Sequence, residues 1–79
     1  MDYEQYIVRD KKICGGEPVI RGTRVMLRTL LASLADGDTL EELLRSFPSL
    51  TEQDIRAAIA FAAASAVEDL PISPLPNVA

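Results

Sequence analysis

Residues 27–55 read LRTLLASLADGDTLEELLRSFPSLTEQDI, and the fold turns on how this stretch divides. Leu27, Leu30, Leu31 and Leu34 fall at i, i+3, i+4 and i+7, one face of a helix, with Arg28, Thr29 and Ser33 off that face. Asp36-Gly37 closes it, because glycine takes the left-handed cap without steric cost. The spacing predicts a first helix over about 26–36. Thr39 with Glu42 three residues on forms a capping box, so a second helix over about 40–47 follows. It buries Leu40, Leu43, Leu44 and Phe47, and Pro48 ends it. Thr51, with Asp54 at the third helical position, opens a third helix, and Leu50 and Ile55 are spaced as a hydrophobic staple.

That third helix should run over about 52–67, and alanine occupies positions 57, 58, 60, 62, 63, 64 and 66. Ile55, Ile59, Ala62 and Ala66 share one side of the wheel, while Ala57, Ala60 and Ala64 lie opposite. A helix apolar on both sides is expected to be covered on both sides. In so small a domain the second cover is expected to be another protein chain. Tyr6, Val8, Ala57, Ala60, Phe61 and Ala64 are therefore the candidate dimer or partner surface.

Working outward, Tyr6-Ile7-Val8 and Pro18-Val19-Ile20 are β-favouring triplets within about 6–25, separated by turn-like Arg9-Asp10-Lys11-Lys12 and Gly15-Gly16. Strands this short are marginal alone and must rest on the helices or pair with a second chain. Beyond the third helix, Leu70-Pro71-Ile72-Ser73-Pro74-Leu75-Pro76 cannot continue a helix. Residues 68–79 read either as a frayed tail or, since Leu70, Ile72 and Leu75 are apolar, as a segment that docks on a partner. The expected fold class is mostly α with short N-terminal β-strands. It forms one domain over 1–67, and its three helices and tight turn are compatible with a helix-turn-helix.

A chain of 79 residues leaves no room for two catalytic lobes, and its modest core makes dimerisation an expectation. It has no histidine, and Cys14 is its one cysteine, so neither a disulfide framework nor a zinc site is expected. No apolar run is long enough for a membrane span, and the acidic start is unlike a signal peptide, so a cytoplasmic protein without cofactors is expected. Enzyme readings find little support. Most carboxylates have helix-start or helix-surface explanations, and Cys14 lacks a histidine to activate it.

The net charge of −4 hides a polarity. Residues 9–28 carry Arg9, Lys11, Lys12, Arg21, Arg24 and Arg28 against Asp10 and Glu17, whereas residues 29–79 carry Arg45 and Arg56 against eight carboxylates. A polarised chain can show a basic face to phosphate and an acidic one to a cationic partner. Arg21, Gly22, Thr23, Arg24 and Arg28, with Gln53 and Arg56 on the third helix, are the candidate nucleic-acid contacts. The plainer alternative is that Gly22 turns the chain and Thr23 helps cap the first helix. The third helix is a poor major-groove reader, because Glu52 and Asp54 would face phosphate.

The order of these motifs is informative. Residues 13–25, ICGGEPVIRGTRV, precede a Leu-rich helix, then Asp36-Gly37, TLEELL at 39–44, Phe47-Pro48, and Leu50-Thr51 with Asp54-Ile55 and Ala57-Ala58. Over roughly residues 6–66 this resembles the family called domain of unknown function number 433. The resemblance implies a homeodomain-like helix-turn-helix, a homodimer, and the role of an antitoxin in a type II toxin–antitoxin pair, the toxin often being a PIN-like ribonuclease. The family's Gly-Thr-Arg element falls on Gly22, Thr23 and Arg24. On this reading Leu70, Pro71, Ile72 and Leu75 would bind the toxin, and operator DNA is a further expected partner. The rival reading is a protein-interaction and dimerisation module with no role on DNA.

Overall fold

The computed structural model describes residues 1–68. The chain opens with a 3-10 turn, Tyr3–Gln5, followed by strand β1, Ile7–Val8. A second 3-10 turn, Cys14–Gly16, leads to β2, Val19–Ile20, and then come α1 (Leu27–Ala35), α2 (Leu40–Ser46) and α3 (Glu52–Glu68). The two strands pair antiparallel, Ile7 against Ile20 and Val8 against Val19. The domain is thus mostly helical, three helices carrying a small N-terminal ribbon. No helix among the described residues is long and apolar enough to cross a membrane.

The helix ends follow local chemistry. Behind α1, the Asp38 N–H donates to the Ser33 carbonyl and the Gly37 N–H to that of Leu34, both at 3.0 Å. This Schellman pairing requires a left-handed residue, and Gly37 supplies it at φ 98°. At α2 the Thr39 hydroxyl accepts the Glu42 N–H while the Glu42 carboxylate accepts the Thr39 N–H, both at 3.1 Å. The same reciprocal box opens α3: the Asp54 N–H donates to the Thr51 hydroxyl at 3.3 Å and the Thr51 N–H to the Asp54 carboxylate at 2.9 Å. Helix α1 begins one residue later than the spacing suggests, after Met26, which offers no side-chain cap.

Val19, Ile20, Leu27, Leu30, Leu43, Leu50, Ile55, Ala57 and Ala58 are buried, and no polar or charged residue joins them among the described residues. α3 lies against α1, α2 and the Tyr3–Gln5 turn. This corrects the expected use of α3. Ala57 is 0 % exposed within its own chain and is not a partner surface. Phe61 is half-buried under the N-terminal turn, its ring met edge-on by Tyr3 at a centroid separation of 5.5 Å. Part of the alanine helix is thus covered by the chain's own start, while Ala63, Ala66 and Val67 stay exposed. Ile59, expected beside Ile55 on one face, is 47 % exposed, whereas Ile55 is buried. Tyr6, Val8, Ala60 and Ala64 are half-buried.

Candidate nucleic-acid interface

The loop between β2 and α1 is a stitched turn. The Thr23 N–H donates to the Ile20 carbonyl at 3.0 Å, and the Thr23 hydroxyl donates to the same oxygen at 2.8 Å. That hydroxyl also accepts the Val25 N–H at 3.0 Å, and the Ile20 N–H reaches the Val25 carbonyl at 3.0 Å. Gly22 stands at φ 79°, the conformation that reverses the chain here. Thr23 therefore fastens the loop, not the start of α1. The turn leaves the Arg24 side chain exposed.

Arg21 has a structural contact within the chain. Its Nε donates to the Gln5 carbonyl at 2.9 Å and a terminal nitrogen to the Glu4 carbonyl at 3.1 Å. The guanidinium fork holds the end of the N-terminal turn, and the side chain stays exposed.

A second turn lies beside Arg24. The Asp10 carboxylate accepts the Lys12 N–H at 2.9 Å, and the Ile13 N–H returns to the Asp10 carbonyl at 2.8 Å. Cys14, at φ 49°, directs its thiol to the Arg24 carbonyl at 3.5 Å. This contact joins the turn bearing Lys11 and Lys12 to the turn bearing Arg24. All three are exposed, as is Arg28 on the first turn of α1. Among the described residues the ion pair formed is Arg56–Glu52 at 3.1 Å, so none of these four cations meets a carboxylate. The sequence marked Lys11 and Lys12 as part of a basic stretch. The Cys14 thiol contact to the Arg24 carbonyl carries no signal a sequence pattern could reveal.

Arg24 also borders an open groove of about 520 Å³, lined by Gly22 through Met26 together with Thr29, Phe47 and Ser49. The Gly-Thr-Arg loop and the turn between α2 and α3 thus form one surface feature. Arg56 is not part of it. It lines a second groove of about 450 Å³ between the end of α1, the start of α2 and α3, and is engaged by Glu52 through Nε at 3.2 Å and a terminal nitrogen at 3.1 Å. Gln53 is exposed on the first turn of α3, flanked by Glu52 and Asp54. Arg24 and Arg28 therefore belong to the basic surface, whereas Arg56 does not join it. Leu70, Pro71, Ile72 and Leu75 lie outside the described residues.

Comparison with known proteins agrees with this architecture. A family model described as "Protein of unknown function (DUF433)" matches residues 7–62. The "Uncharacterized protein y4eO" of Sinorhizobium fredii (strain NBRC 101917 / NGR234) is 39% identical over 61 residues, which is 77% of this chain and 28% of that protein. The chain thus spans little more than a quarter of that relative's length. The crystal structure of a DUF433 member from Anabaena variabilis ATCC 29413, at 2.00 Å resolution, aligns with a TM-score of 0.74 and 32% identity. That alignment covers 85% of this chain and 70% of the other. Two strands, three helices and a match from Ile7 to Ala62 lead to one conclusion: this chain belongs to the DUF433 family.

Proposed function

We propose that this chain is the antitoxin of a type II pair: a homodimer that neutralises a PIN-like ribonuclease by direct binding and contacts operator DNA through its basic N-terminal surface. The observation that carries the nucleic-acid part is the set of four exposed cations, Lys11, Lys12, Arg24 and Arg28, free of carboxylate partners among the described residues on a chain whose net charge is −4. On an acidic protein, a local surplus of this kind offers a surface suited to an anion. The toxin-binding part rests on the family resemblance and on the uncharged, apolar sequence of residues 70–76. It rests also on the acidic balance of residues 29–79, which suits a basic ribonuclease surface.

One observation favours the rival module without a role on DNA. The α3 start pairs its only arginine with Glu52 and leaves Gln53, flanked in sequence by two carboxylates, as the exposed amide donor for a base edge, a poor set for major-groove reading. A salt titration of binding to the chain's own promoter separates the two. Affinity that falls steeply with salt supports phosphate contacts, and no binding at low salt removes the DNA claim. Co-expression with the product of the adjacent open reading frame tests the toxin claim. A growth-arresting nuclease rescued by this chain supports it, and no rescue overturns it.

A further inference from the structure

One edge of the small ribbon is left without backbone partners inside the chain. Ile7 pairs with Ile20 and Val8 with Val19, and no third strand joins them among the described residues. The far side of β2 is closed by the chain that follows it. There the Ile20 N–H donates to the Val25 carbonyl and the Leu27 N–H to the Pro18 carbonyl, both at 3.0 Å. The Ile20 carbonyl in turn accepts from the Thr23 N–H and hydroxyl. Both main-chain groups of Ile20 therefore point away from β1. In an antiparallel pair such a residue exchanges no bonds with the one opposite, so Ile7 turns its own N–H and C=O outward from β2. The same alternation turns Arg9 outward, opposite Pro18, which has no N–H to give. No backbone hydrogen bond of a turn or loop takes up the N–H or C=O of Ile7 or Arg9 among the described residues.

An edge of this kind is a template for another strand. Its free groups recur two residues apart, the spacing at which an antiparallel neighbour exchanges bonds. A second copy of β1 fits it in one register. With a two-fold axis at Val8, Ile7 of each copy faces the partner's Arg9, and each such pair exchanges both its bonds. Val8 then meets the partner's Val8 as the close, non-bonded pair between them. An axis at Ile7 fits worse, because it sets Arg9 against the partner's Gln5, whose N–H is already given to the Asp2 carbonyl at 3.4 Å. The charges agree with a reversed strand. Asp2 and Glu4 precede β1, while Arg9, Lys11 and Lys12 follow it against Asp10 alone. A two-fold axis brings the acidic start of each copy to the basic end of the other.

We propose that β1 pairs antiparallel with β1 of a second copy about Val8, joining the two ribbons into one sheet across a homodimer. Val8, half-buried within its own chain, gains further cover there. This rests on the homodimer of the proposed function and assigns the strand edge through which it forms.

The test is sedimentation velocity on the full chain across a concentration series, with Arg9→Pro and Arg9→Ala beside the native sequence. Proline removes the outward N–H and alanine keeps it, while both lose the guanidinium near Phe61. The expected result is a dimer for the native chain and for Arg9→Ala. In Arg9→Pro the dissociation constant should rise about tenfold or more, through loss of one bond on each side of the axis. The Arg9 N–H has no backbone partner in its own chain, so the circular dichroism of Arg9→Pro should match that of Arg9→Ala. Hydrogen exchange reads the native chain without any variant: the Ile7 and Arg9 amides should be protected at dimeric concentrations and exchange freely on dilution. A dimer in which Arg9→Pro associates as tightly as Arg9→Ala, or in which both amides stay unprotected, overturns the strand pairing and leaves the homodimer standing. A chain that stays monomeric at every concentration overturns both.

Discussion

Tyr3 meets Phe61 edge to face, with ring centroids 5.5 Å apart and planes at 89°, across 58 residues of chain. Arg9 adds its guanidinium carbon 6.0 Å from the same ring. Through this contact the N terminus becomes part of the helical core, and one side of an alanine-rich helix is covered without a second molecule. Edge-to-face aromatic pairs contribute about 0.5–1.5 kcal/mol beyond the area they bury. A double-mutant cycle of Tyr3→Ala and Phe61→Leu, followed by urea unfolding, should return a coupling energy in that range. A value near zero would mean the two rings do not cooperate in solution.

Arg21 should behave as a structural residue. Replacing it with alanine removes two hydrogen bonds to the Glu4 and Gln5 carbonyls, which are exposed and therefore worth about 1 kcal/mol together. Lysine cannot restore the fork and should recover little. Promoter affinity and its salt dependence should be unchanged in Arg21→Ala under conditions where the variant is folded. A large loss of affinity there would place Arg21 on the binding surface.

The basic surface has the opposite signature. If Lys11, Lys12 and Arg24 each meet a phosphate, the triple alanine variant should lower the slope of log affinity against log salt by about 3, roughly one per cation removed. Stability should change little, since these side chains are exposed and make no ion pairs among the described residues. Arg56→Ala should leave the slope unaltered. An equal effect from Arg56 would place the interface on α3 instead.

The two capping boxes supply a local control. Thr39→Ala and Thr51→Ala should each cost about 1 kcal/mol, read from the shift in urea midpoint. Because the boxes sit at separate helix starts, their effects should add. Leu30→Ala, at a site 0 % exposed, should cost about 2–5 kcal/mol and leave a large unfolded fraction in so small a domain. Circular dichroism at 25 °C would show it.

Where the helices start and stop is legible in the order of the amino acids, because those signals are satisfied within one turn. Thr39 finds Glu42 three residues away, Thr51 finds Asp54, and Gly37 needs nothing but its own freedom of φ. The strands are legible as triplets but shorter in fact, since only two residues of each find partners. The charge polarity is legible too, as a count. Its spatial form is not, for the turn that follows Lys11 and Lys12 meets the Arg24 backbone through the Cys14 thiol, ten residues away in sequence.

What the tertiary structure alone decided is which apolar or cationic group is used inside the chain. Ala57 and Ile59 look alike to a helical wheel, yet one is buried and the other half exposed, because α1, α2 and the N-terminal turn settle on particular sides of α3. Arg21 and Arg24 look alike in a basic segment, yet only Arg21 has backbone carbonyls within reach, 16 and 17 residues earlier. Local hydrogen bonds are decided by neighbours a few residues away, and amino-acid order states them directly. Long-range burial depends on which surfaces meet once the chain has closed on itself, and only the folded molecule holds that answer.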